Sequence, residues 1–208
     1  MSLRGKDPLN LIIAGVGGQG NVLISRLIGQ AMVSEGYEAT IGETFGASQR
    51  GGSVTSHLRV SRDHKYGPLI PEGNADIILG LEPVEALRQL AQCGSPATCV
   101  VTNTRPIHPM CVAIGQAEYP ELETIKENIG RLSGKAWYVN ASQIALDLGA
   151  ALLTNIVMVG VLAGLGLTDL RPDMFEQQLE TMFQNEKLAL NMRAFRAGLA
   201  YDFGKPEK

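Results

Sequence analysis

The spacing of apolar positions changes abruptly near the start of the chain. Residues 11–14 form an unbroken apolar run, which is typical of a short buried strand. After a glycine-rich stretch, apolar residues recur at helical spacing, at Ile24, Leu27, Ile28, Ala31 and Met32. Gly36 suits the left-handed cap that ends many helices. The pattern therefore predicts a strand, a tight turn and a helix that stops near Gly36.

Similar apolar runs and helix-like stretches alternate along the rest of the chain. Strands are predicted at 37–41, 54–60, 75–80, 98–102 and 137–139, and the second of these has two unlike faces. Helices are predicted at 82–90, 121–132, 141–149, 150–165 and 186–201, with another beginning near Pro172. Such alternation predicts a three-layer α/β/α fold with a mainly parallel sheet and a Rossmann-like first βα unit. The length favours a single domain over residues 1–208.

The glycine-rich turn after the first strand has the chemistry of an anion site. It contains Gly15, Gly17, Gly18 and Gly20, followed by Asn21. The first N–H groups of a helix lack partners, the helix dipole is positive there, and glycines let the backbone approach a phosphate closely. We therefore expect a phosphate-bearing ligand near residues 17–21, which also include Gln19.

A second polar stretch, residues 42–53, contains four glycines and is predicted to be a loop. Within it, Arg50 offers a planar charged fork suited to phosphate, and the glycines that follow expose backbone N–H groups. Loops beyond the carboxyl ends of neighbouring strands border one crevice in an open α/β sheet, so both loops are expected to grip one ligand. The candidate residues in this stretch are Ser48, Gln49, Arg50, Gly51, Gly52 and Ser53.

The same residues admit other interpretations. Gly15-x-Gly17-x-x-Gly20 formally fits the dinucleotide fingerprint, with Glu43 placed to hold a ribose, to cap a helix or to pair with Arg50. The glycines can also serve only to make a sharp strand-to-helix turn. Arg50 can likewise form a surface salt bridge or anchor an interface with a protein partner.

Composition excludes several classes of protein. A net charge of −3 gives no electrostatic reason to expect nucleic acid. The three cysteines form no C-x-x-C pair and the chain starts without a signal peptide, which indicates a reducing, cytoplasmic location. Residues 150–167 are the longest apolar stretch, but polar residues and glycines interrupt it, so it predicts a buried helix and no membrane contact.

Residues for catalysis on this chain are few. The histidines are His57, His64 and His108, and His57 lies on a predicted strand, where a hydrogen-bonded structural role is favoured over that of a base. The serines show no spacing that implies a nucleophile with its base, and no metal-binding cluster is visible. We therefore predict no catalytic residue and no metal ligand here.

Several longer segments together resemble a known family. They are GVGGQG at 15–20, GETFGASQRGGSVTSHLR at 42–59, YGPLIPEGNADIILGLEPVEAL at 66–87, NTRPIHP at 103–109, AEYPE at 117–121 and NMRAFRAG at 191–198. The chain resembles the beta subunit of indolepyruvate ferredoxin oxidoreductases, and more broadly the gamma subunit or domain of 2-oxoacid ferredoxin oxidoreductases. The resemblance covers nearly the whole chain. Phe45 stands where relatives often have His, and Ser48 where many have Ala.

The resemblance implies an enzyme subunit. The family oxidises a 2-oxoacid, here an aryl pyruvate such as indolepyruvate, with coenzyme A as co-substrate, releases carbon dioxide and passes electrons to ferredoxin. Thiamine diphosphate, Mg²⁺ and 4Fe-4S clusters are expected on a larger alpha subunit, and ferredoxin is expected to act through the hetero-oligomer. The cysteines Cys93, Cys99 and Cys111 lack the close spacing of a ferredoxin-like cluster.

Carry-over from the family assigns coenzyme A binding to the two polar loops, through Gly17, Gly18, Gln19, Asn21, Ser48, Gln49 and Arg50. The segments PLIPEG and NTRPIHP are expected at the subunit interface, which explains exposed apolar residues at Leu69, Ile70 and Ile107. Two alternatives remain open: a free-standing NAD(P)-dependent oxidoreductase that uses the same glycine turn, and a purely structural subunit whose turn binds nothing.

Overall fold

The computed structural model describes residues 5–46, 51–204 and 206. Its centre is a six-stranded sheet with the order β2-β3-β1-β4-β5-β6. The strands are β1 (Leu9–Val16), β2 (Glu38–Phe45), β3 (Ser53–Ser61), β4 (Ile77–Gly80), β5 (Cys99–Asn103) and β6 (Lys135–Val139). All residues of β1 are buried, because it lies inside the sheet between β3 and β4 and is covered on both faces.

Five of the six strands point the same way. β1, β4, β5 and β6 pair in parallel, with Ile13 of β1 opposite Leu79 of β4. β3 is antiparallel to both of its neighbours, and it places Ser56 opposite Ile13 on one side and opposite Glu43 on the other. The prediction of a mainly parallel sheet is confirmed, and the carboxyl ends of the parallel strands share one edge.

Helices cover both faces of the sheet, which confirms the three-layer arrangement. They are α1 (Asn21–Ser34), α2 (Pro83–Cys93), α3 (Met110–Ala113), α4 (Leu122–Leu132), α5 (Ala141–Asp147), α6 (Thr154–Gly164), α7 (Pro172–Met182) and α8 (Asn185–Leu199). Leu11 and Ile13 share a core with α1 and α5 to α8, whereas Ile12 and Ala14 share a second core with α2 and α4. Alternate residues of a strand thus supply both cores.

Four details differ from the sequence predictions. β2 continues to Phe45, into the predicted loop, because residues 42–45 pair with β3. β3 is buried on both faces, since helices and loops cover it on each side. The predicted helix at 150–165 is divided into a 3₁₀ turn, Ala151–Leu153, and α6. Ile70 was expected to be exposed but is buried in the core beneath α2, while Leu69 and Ile107 are exposed.

Within the apolar stretch 150–167, α6 is a buried helix, as predicted. Nine of the eleven residues of α6 are buried, and they pack against α8 and the sheet. Within the part of the chain that the structure describes, no helix has the length and apolar character needed to cross a membrane.

Candidate functional site

The glycine loop, residues 17–20, connects β1 to α1 at the edge where the parallel strands end. Gly20 occupies the position before the first turn of α1 with a φ of 83°, a left-handed conformation that favours glycine. No side chain caps α1, so its first N–H groups remain directed toward this edge. The turn therefore has the form that the sequence predicts.

Two amide side chains hold the glycine loop from inside. The Gln19 side chain accepts the Val16 N–H at 2.8 Å through Oε1 and donates to the Leu81 carbonyl at 2.9 Å through Nε2. The Asn21 Nδ2 donates to the Val54 carbonyl at 3.0 Å and to the Ile13 carbonyl at 3.4 Å. Both residues are predicted to contact a ligand; in the structure their amide nitrogens join the loop to β1, β3 and the end of β4.

One acceptor in this arrangement stays unsatisfied within the described part of the chain. The Asn21 Oδ1 is buried and receives no hydrogen bond there. Gly15 lies beside it, and an added Cβ would stand 2.6 Å from the Gln19 Oε1 and 2.9 Å from the Asn21 Oδ1. Gly15 therefore serves the packing of the two amides. A buried acceptor without a donor is uncommon in folded proteins.

The hairpin formed by β2 and β3 brings the second polar loop onto the first. The Gly17 N–H donates to the Gly52 carbonyl at 2.9 Å, and the Gly46 N–H donates to the Ser53 carbonyl at 2.7 Å. The Ser53 hydroxyl donates to the Glu85 Oε2 at 2.7 Å. The two loops meet as expected. They do so because β3, which is antiparallel to β1, lies next to it, whereas the prediction had placed β2 beside β1. Ser48, Gln49 and Arg50 lie outside the described residues.

A groove runs across the carboxyl edge of the sheet, with the glycine loop between its two lobes. The hairpin lobe lies toward β2 and is lined by Val16, Gly17, Gly18, Gly20, Asn21, Val22, Phe45, Gly46, Ser53 and Val54. The apolar lobe has a volume of about 360 Å³ and is lined by Val16, Gly17, Gly18, Gln19, Leu81, Arg105, Ile107, Ser142, Leu146, Ala151, Leu152, Thr154 and Asn155. Residues that follow each of the four parallel strands thus border it, where ligands bind in open α/β sheets.

Two polar residues stand out in the apolar lobe. Arg105 is exposed and makes no ion pair or hydrogen bond with any residue that the structure describes. Asn155 is only 6% exposed and is the second residue of α6. Its Nδ2 would lie 2.2 Å from a Cβ at Gly20, so the absence of that carbon lets the amide pack on the glycine loop. The Asn155 Oδ1 accepts the Ile156 N–H at 2.8 Å, and its Nδ2 donates to no described acceptor.

A buried carboxylate forms hydrogen bonds to several segments that border the groove. Glu82, 1% exposed, follows β4 and caps α2 by accepting the Glu85 N–H at 2.9 Å. Its other oxygen accepts the Tyr119 hydroxyl and the Ile107 N–H. Burial raises the pKa of Glu82, and these hydrogen bonds act in the opposite direction. Since Glu85 in turn receives the Ser53 hydroxyl, the two carboxylates connect the hairpin to the segment that carries Arg105.

Sequence reasoning missed Arg105, Asn155 and Glu82. A signal existed for Glu82, because an acidic residue directly before Pro83 is a typical helix cap. Arg105 lies in the NTRPIHP segment, which the sequence suggests only as a rigid interface loop. Asn155 lies in an apolar stretch of the sequence. Its position beside the groove results from the packing of α6 against the glycine loop.

Other candidate residues lie elsewhere. Glu43 is half-buried on β2, and β3 separates that strand from β1. In dinucleotide-binding folds the acidic residue follows a strand that pairs directly with the first, so the strand order does not favour a ribose site at Glu43. Cys93 and Cys99 are buried in the cores on opposite faces of the sheet, and Cys111 is exposed on α3.

Comparisons with known proteins agree with this geometry. A family model described as pyruvate ferredoxin/flavodoxin oxidoreductase matches residues 10–201. Indolepyruvate oxidoreductase subunit IorB of Archaeoglobus fulgidus is 39% identical over 190 residues, 91% of this chain and 93% of that protein.

Two solved structures are also similar. Pyruvate oxidoreductase subunit PORC of Thermotoga maritima has a TM-score of 0.67 at 18% identity and covers 93% of this chain and 96% of its own. The 2-oxoglutarate:ferredoxin oxidoreductase of Magnetococcus marinus, with 2-oxoglutarate, coenzyme A and succinyl-CoA bound, has a TM-score of 0.72 at 24% identity. That match covers 98% of this chain and 33% of the longer one. At these identities, the two structures establish the shared fold.

Proposed function

Because the chain belongs to the pyruvate ferredoxin/flavodoxin oxidoreductase family, we propose that it is the smaller subunit of a 2-oxoacid ferredoxin oxidoreductase and helps bind coenzyme A. The expected oxoacid is indolepyruvate or another aryl pyruvate. In the proposed reaction the bond between C1 and C2 of the oxoacid breaks and carbon dioxide leaves. The acyl carbon joins the coenzyme A sulfur, the thiol proton is released, and two electrons reduce two ferredoxins.

The observation that carries this proposal is the meeting of the glycine loop and the β2–β3 hairpin on one groove. Coenzyme A is a long ligand with a pyrophosphate between two dissimilar ends. A helix N-terminus beside glycines suits the pyrophosphate, and a lobe on either side gives both ends of the molecule a place.

We retain all the residues that the sequence assigns to the coenzyme A site, but we propose different roles for them. Gly17, Gly18 and Gly20 form the surface of the groove, whereas Gly15, Gln19 and Asn21 shape the loop from inside. Gly51, Gly52 and Ser53 bring the hairpin into place. For Ser48, Gln49 and Arg50 the proposal rests on their position in the sequence between Gly46 and Gly51.

The remaining cofactors belong, in this proposal, to a larger partner subunit that carries thiamine diphosphate, Mg²⁺ and the 4Fe-4S clusters. The cysteines of this chain are separated by the sheet or exposed on α3, so they do not converge on one point. Within the described residues, no three His, Cys, Asp or Glu side chains form a metal-binding group. We therefore assign no step of the electron transfer to residues of this chain.

The segment between β5 and α4 is the proposed contact with the larger subunit. Its one-turn helix α3 contains no buried residue. Met110 is 74% exposed, and Ile114, which directly follows the helix, is 58% exposed. Large exposed apolar groups close together are typical of a protein interface. The longer Magnetococcus marinus chain contains this fold within about three times its length, which supports association of the fold with further protein.

A pair of glycine variants tests coenzyme A binding in the complex with the larger subunit. A Cβ at Gly17 lies 3.5 Å from the Gly51 nitrogen, an ordinary contact, but it narrows the groove between the two lobes. We expect Gly17→Ala to raise KM for coenzyme A by about five- to tenfold, with KM for the oxoacid unchanged. Oxoacid-dependent reduction of ferredoxin gives both constants.

Gly67→Ala is the matched control, since its Cβ would meet nothing within 4 Å and lies outside the groove. An unchanged KM for coenzyme A in Gly17→Ala, with the complex intact, would contradict the proposed site. Calorimetric binding of NADH, but not coenzyme A, to the chain would instead support the free-standing dinucleotide enzyme. Binding of neither ligand by the assembled complex would leave the structural subunit as the function.

A further inference from the structure

The segment that carries α3 is supported almost entirely by its own backbone. Residues 105–120 lie between β5 and α4, and none of them is buried. The Ile114 N–H donates to the Met110 carbonyl at 3.0 Å, and the Gln116 N–H donates to the Cys111 carbonyl at 2.8 Å. A segment with few buried apolar contacts opens easily. Packing in the two cores therefore does not fix the position of this segment.

One carboxylate oxygen holds both ends of the segment. The Glu82 Oε1 accepts the Ile107 N–H at 3.3 Å and also the Tyr119 hydroxyl. The His108 ring packs beside the Tyr119 ring, with 5.0 Å between the ring centroids. Glu82 is itself fixed, because its Oε2 accepts the Glu85 N–H in the first turn of α2. Residues 107 and 119 are thus joined to each other and to α2 at one buried point.

On the basis of the proposed contact with the larger subunit, we infer that Glu82 and Tyr119 are positioning residues for that interface. They hold residues 107–119 in the conformation that the larger subunit binds. A segment that is ordered before association loses less conformational entropy when it binds. If only a fraction of the molecules has the binding conformation, the apparent Kd rises in inverse proportion to that fraction. The two hydrogen bonds therefore act mainly on assembly, since the segment adds no buried side chain to either core.

A carboxylate is the group that suits position 82. Both of its oxygens accept hydrogen bonds, one from α2 and the other from the segment. A glutamine amide has one acceptor oxygen, and its NH₂ group would face a donor on one of the two sides. Because Glu82 is 1% exposed, solvent cannot easily supply the missing acceptor. Glu82→Gln would thus weaken either the helix cap or the anchor, so a change at Tyr119 is the cleaner test.

Tyr119→Phe removes the hydroxyl and keeps the ring beside His108. When the full chain is titrated with the larger subunit, we expect this variant to raise Kd by about tenfold. Amide hydrogen exchange of residues 107–119 in the free chain should become faster, because the segment is no longer held at one end. The thermal unfolding temperature should change by no more than about 3 °C.

Tyr138→Phe is the matched control. The Tyr138 ring packs against the same core as Tyr119, but its hydroxyl donates to the Lys126 carbonyl of α4 at 3.0 Å, outside the segment. This variant should change neither Kd nor the exchange of residues 107–119. An equal rise of Kd in both tyrosine variants would overturn the inference, because the effect would then not depend on the segment.

Two other results for Tyr119→Phe would contradict the inference. A lower unfolding temperature with an unchanged Kd would mean that the hydroxyl serves only the fold. A raised Kd with unchanged hydrogen exchange would mean that the hydroxyl contacts the larger subunit directly and does not position the segment.

Ile114→Lys separates failure of the inference from failure of the proposed contact. If Ile114→Lys prevents binding of the larger subunit while Tyr119→Phe leaves Kd unchanged, the contact stands and the inference is wrong. If neither variant alters Kd, the proposed contact fails as well. If Ile114→Lys alters only self-association in analytical ultracentrifugation, a second copy of the chain covers the segment, and both proposals are wrong.

Discussion

His57 shows how one side chain serves the fold rather than the chemistry. It lies on β3, between Ile12 of β1 and Gly42 of β2, and is buried. Its Nδ1 accepts the Ile70 N–H at 3.4 Å, which holds the segment before β4 against the sheet. Burial lowers the pKa of His57, because the charged imidazolium is poorly solvated there. The structural role predicted for this residue therefore has a physical basis.

The lowered pKa of His57 makes stability depend on pH in a known direction. Below about pH 6.5 the unfolded chain protonates this histidine while the folded chain does not, so the unfolded state binds more protons. Stability is therefore lost as the pH falls from 6.5 toward the folded-state pKa, by at most about 1.4 kcal/mol per pH unit. Urea unfolding at pH 7.5 and pH 5.5 measures this loss.

The variant His57→Gln should lose less stability than the wild type between these two pH values, because glutamine does not titrate. His64→Gln is the control, since His64 is exposed on the loop after β3. The interpretation is wrong if His57→Gln and the wild type show the same pH dependence.

The roles of polar residues at the site were only partly predictable from sequence. The spacing of Gly17, Gly18 and Gly20 identified the turn because its conformation is a local property. The inward direction of Gln19 and Asn21 depends on partners at Leu81 and Val54, which lie more than thirty residues away. Arg105 reaches the groove only through the register of the parallel strands.

Among the secondary-structure elements, α6 and α8 make an unusually close crossing. A Cβ at Gly160 of α6 would lie 2.0 Å from the Phe195 carbonyl oxygen, and one at Gly198 of α8 would lie 2.0 Å from the Val157 carbonyl oxygen. Each glycine therefore accommodates the backbone of the opposite helix. Because α6 begins at the apolar lobe, this crossing also fixes the position of Asn155.

We expect Gly198→Ala to lower the free energy of unfolding by about 3 kcal/mol or more, because backbone cannot move aside as a flexible side chain does. Gly29→Ala is the matched helix variant, since its Cβ would meet side-chain atoms and no backbone, the nearest being the Ile41 Cδ1 at 3.1 Å and the Leu58 Cδ1 at 3.6 Å. There the strain is offset by a gain in helix propensity of about 1 kcal/mol, so the net change should be small. Chemical denaturation measures both, and equal effects would contradict the close crossing.

The sequence predicted most elements but not the direction of β3. Predicted strands at 37–41 and 54–60 left a connection long enough for a parallel crossover, which needs about a dozen residues. In the structure, β2 reaches Phe45 and β3 starts at Ser53, so the connection is too short for that and closes a hairpin. The glycine and polar residues of β2 have low strand propensity, so the sequence did not predict this extension. In the structure, pairing with β3 outweighs that low propensity.

At the scale of the whole molecule, the groove and the exposed segment around α3 follow the same edge of the sheet. Arg105 and Ile107 line the apolar lobe, and Met110 follows directly on α3. Through the Glu82 hydrogen bonds to Ile107 and Tyr119, the segment is held at both ends against α2. A partner that binds α3 would therefore lie next to the groove.

The partner contact predicts a specific loss of assembly. Ile114→Lys should abolish or strongly reduce co-purification with the larger subunit, because a charge would be buried without a partner in an apolar interface. Its thermal unfolding temperature should remain that of the wild type, since Ile114 packs in neither core.

The control is Val33→Lys. Val33 is similarly exposed, but it lies at the far end of α1, away from the groove. Assembly that survives Ile114→Lys but not Val33→Lys would place the interface on the opposite edge.

The antiparallel return of β3 also has an evolutionary consequence. The tip between Phe45 and Ser53 connects two strands at one side of the sheet, so its length can change without shifting the register of β1, β4, β5 and β6. Doubling the length of such a loop costs only about 0.6 kcal/mol in closure entropy. We therefore expect insertions between Phe45 and Ser53 to leave the pairing of these four strands unchanged.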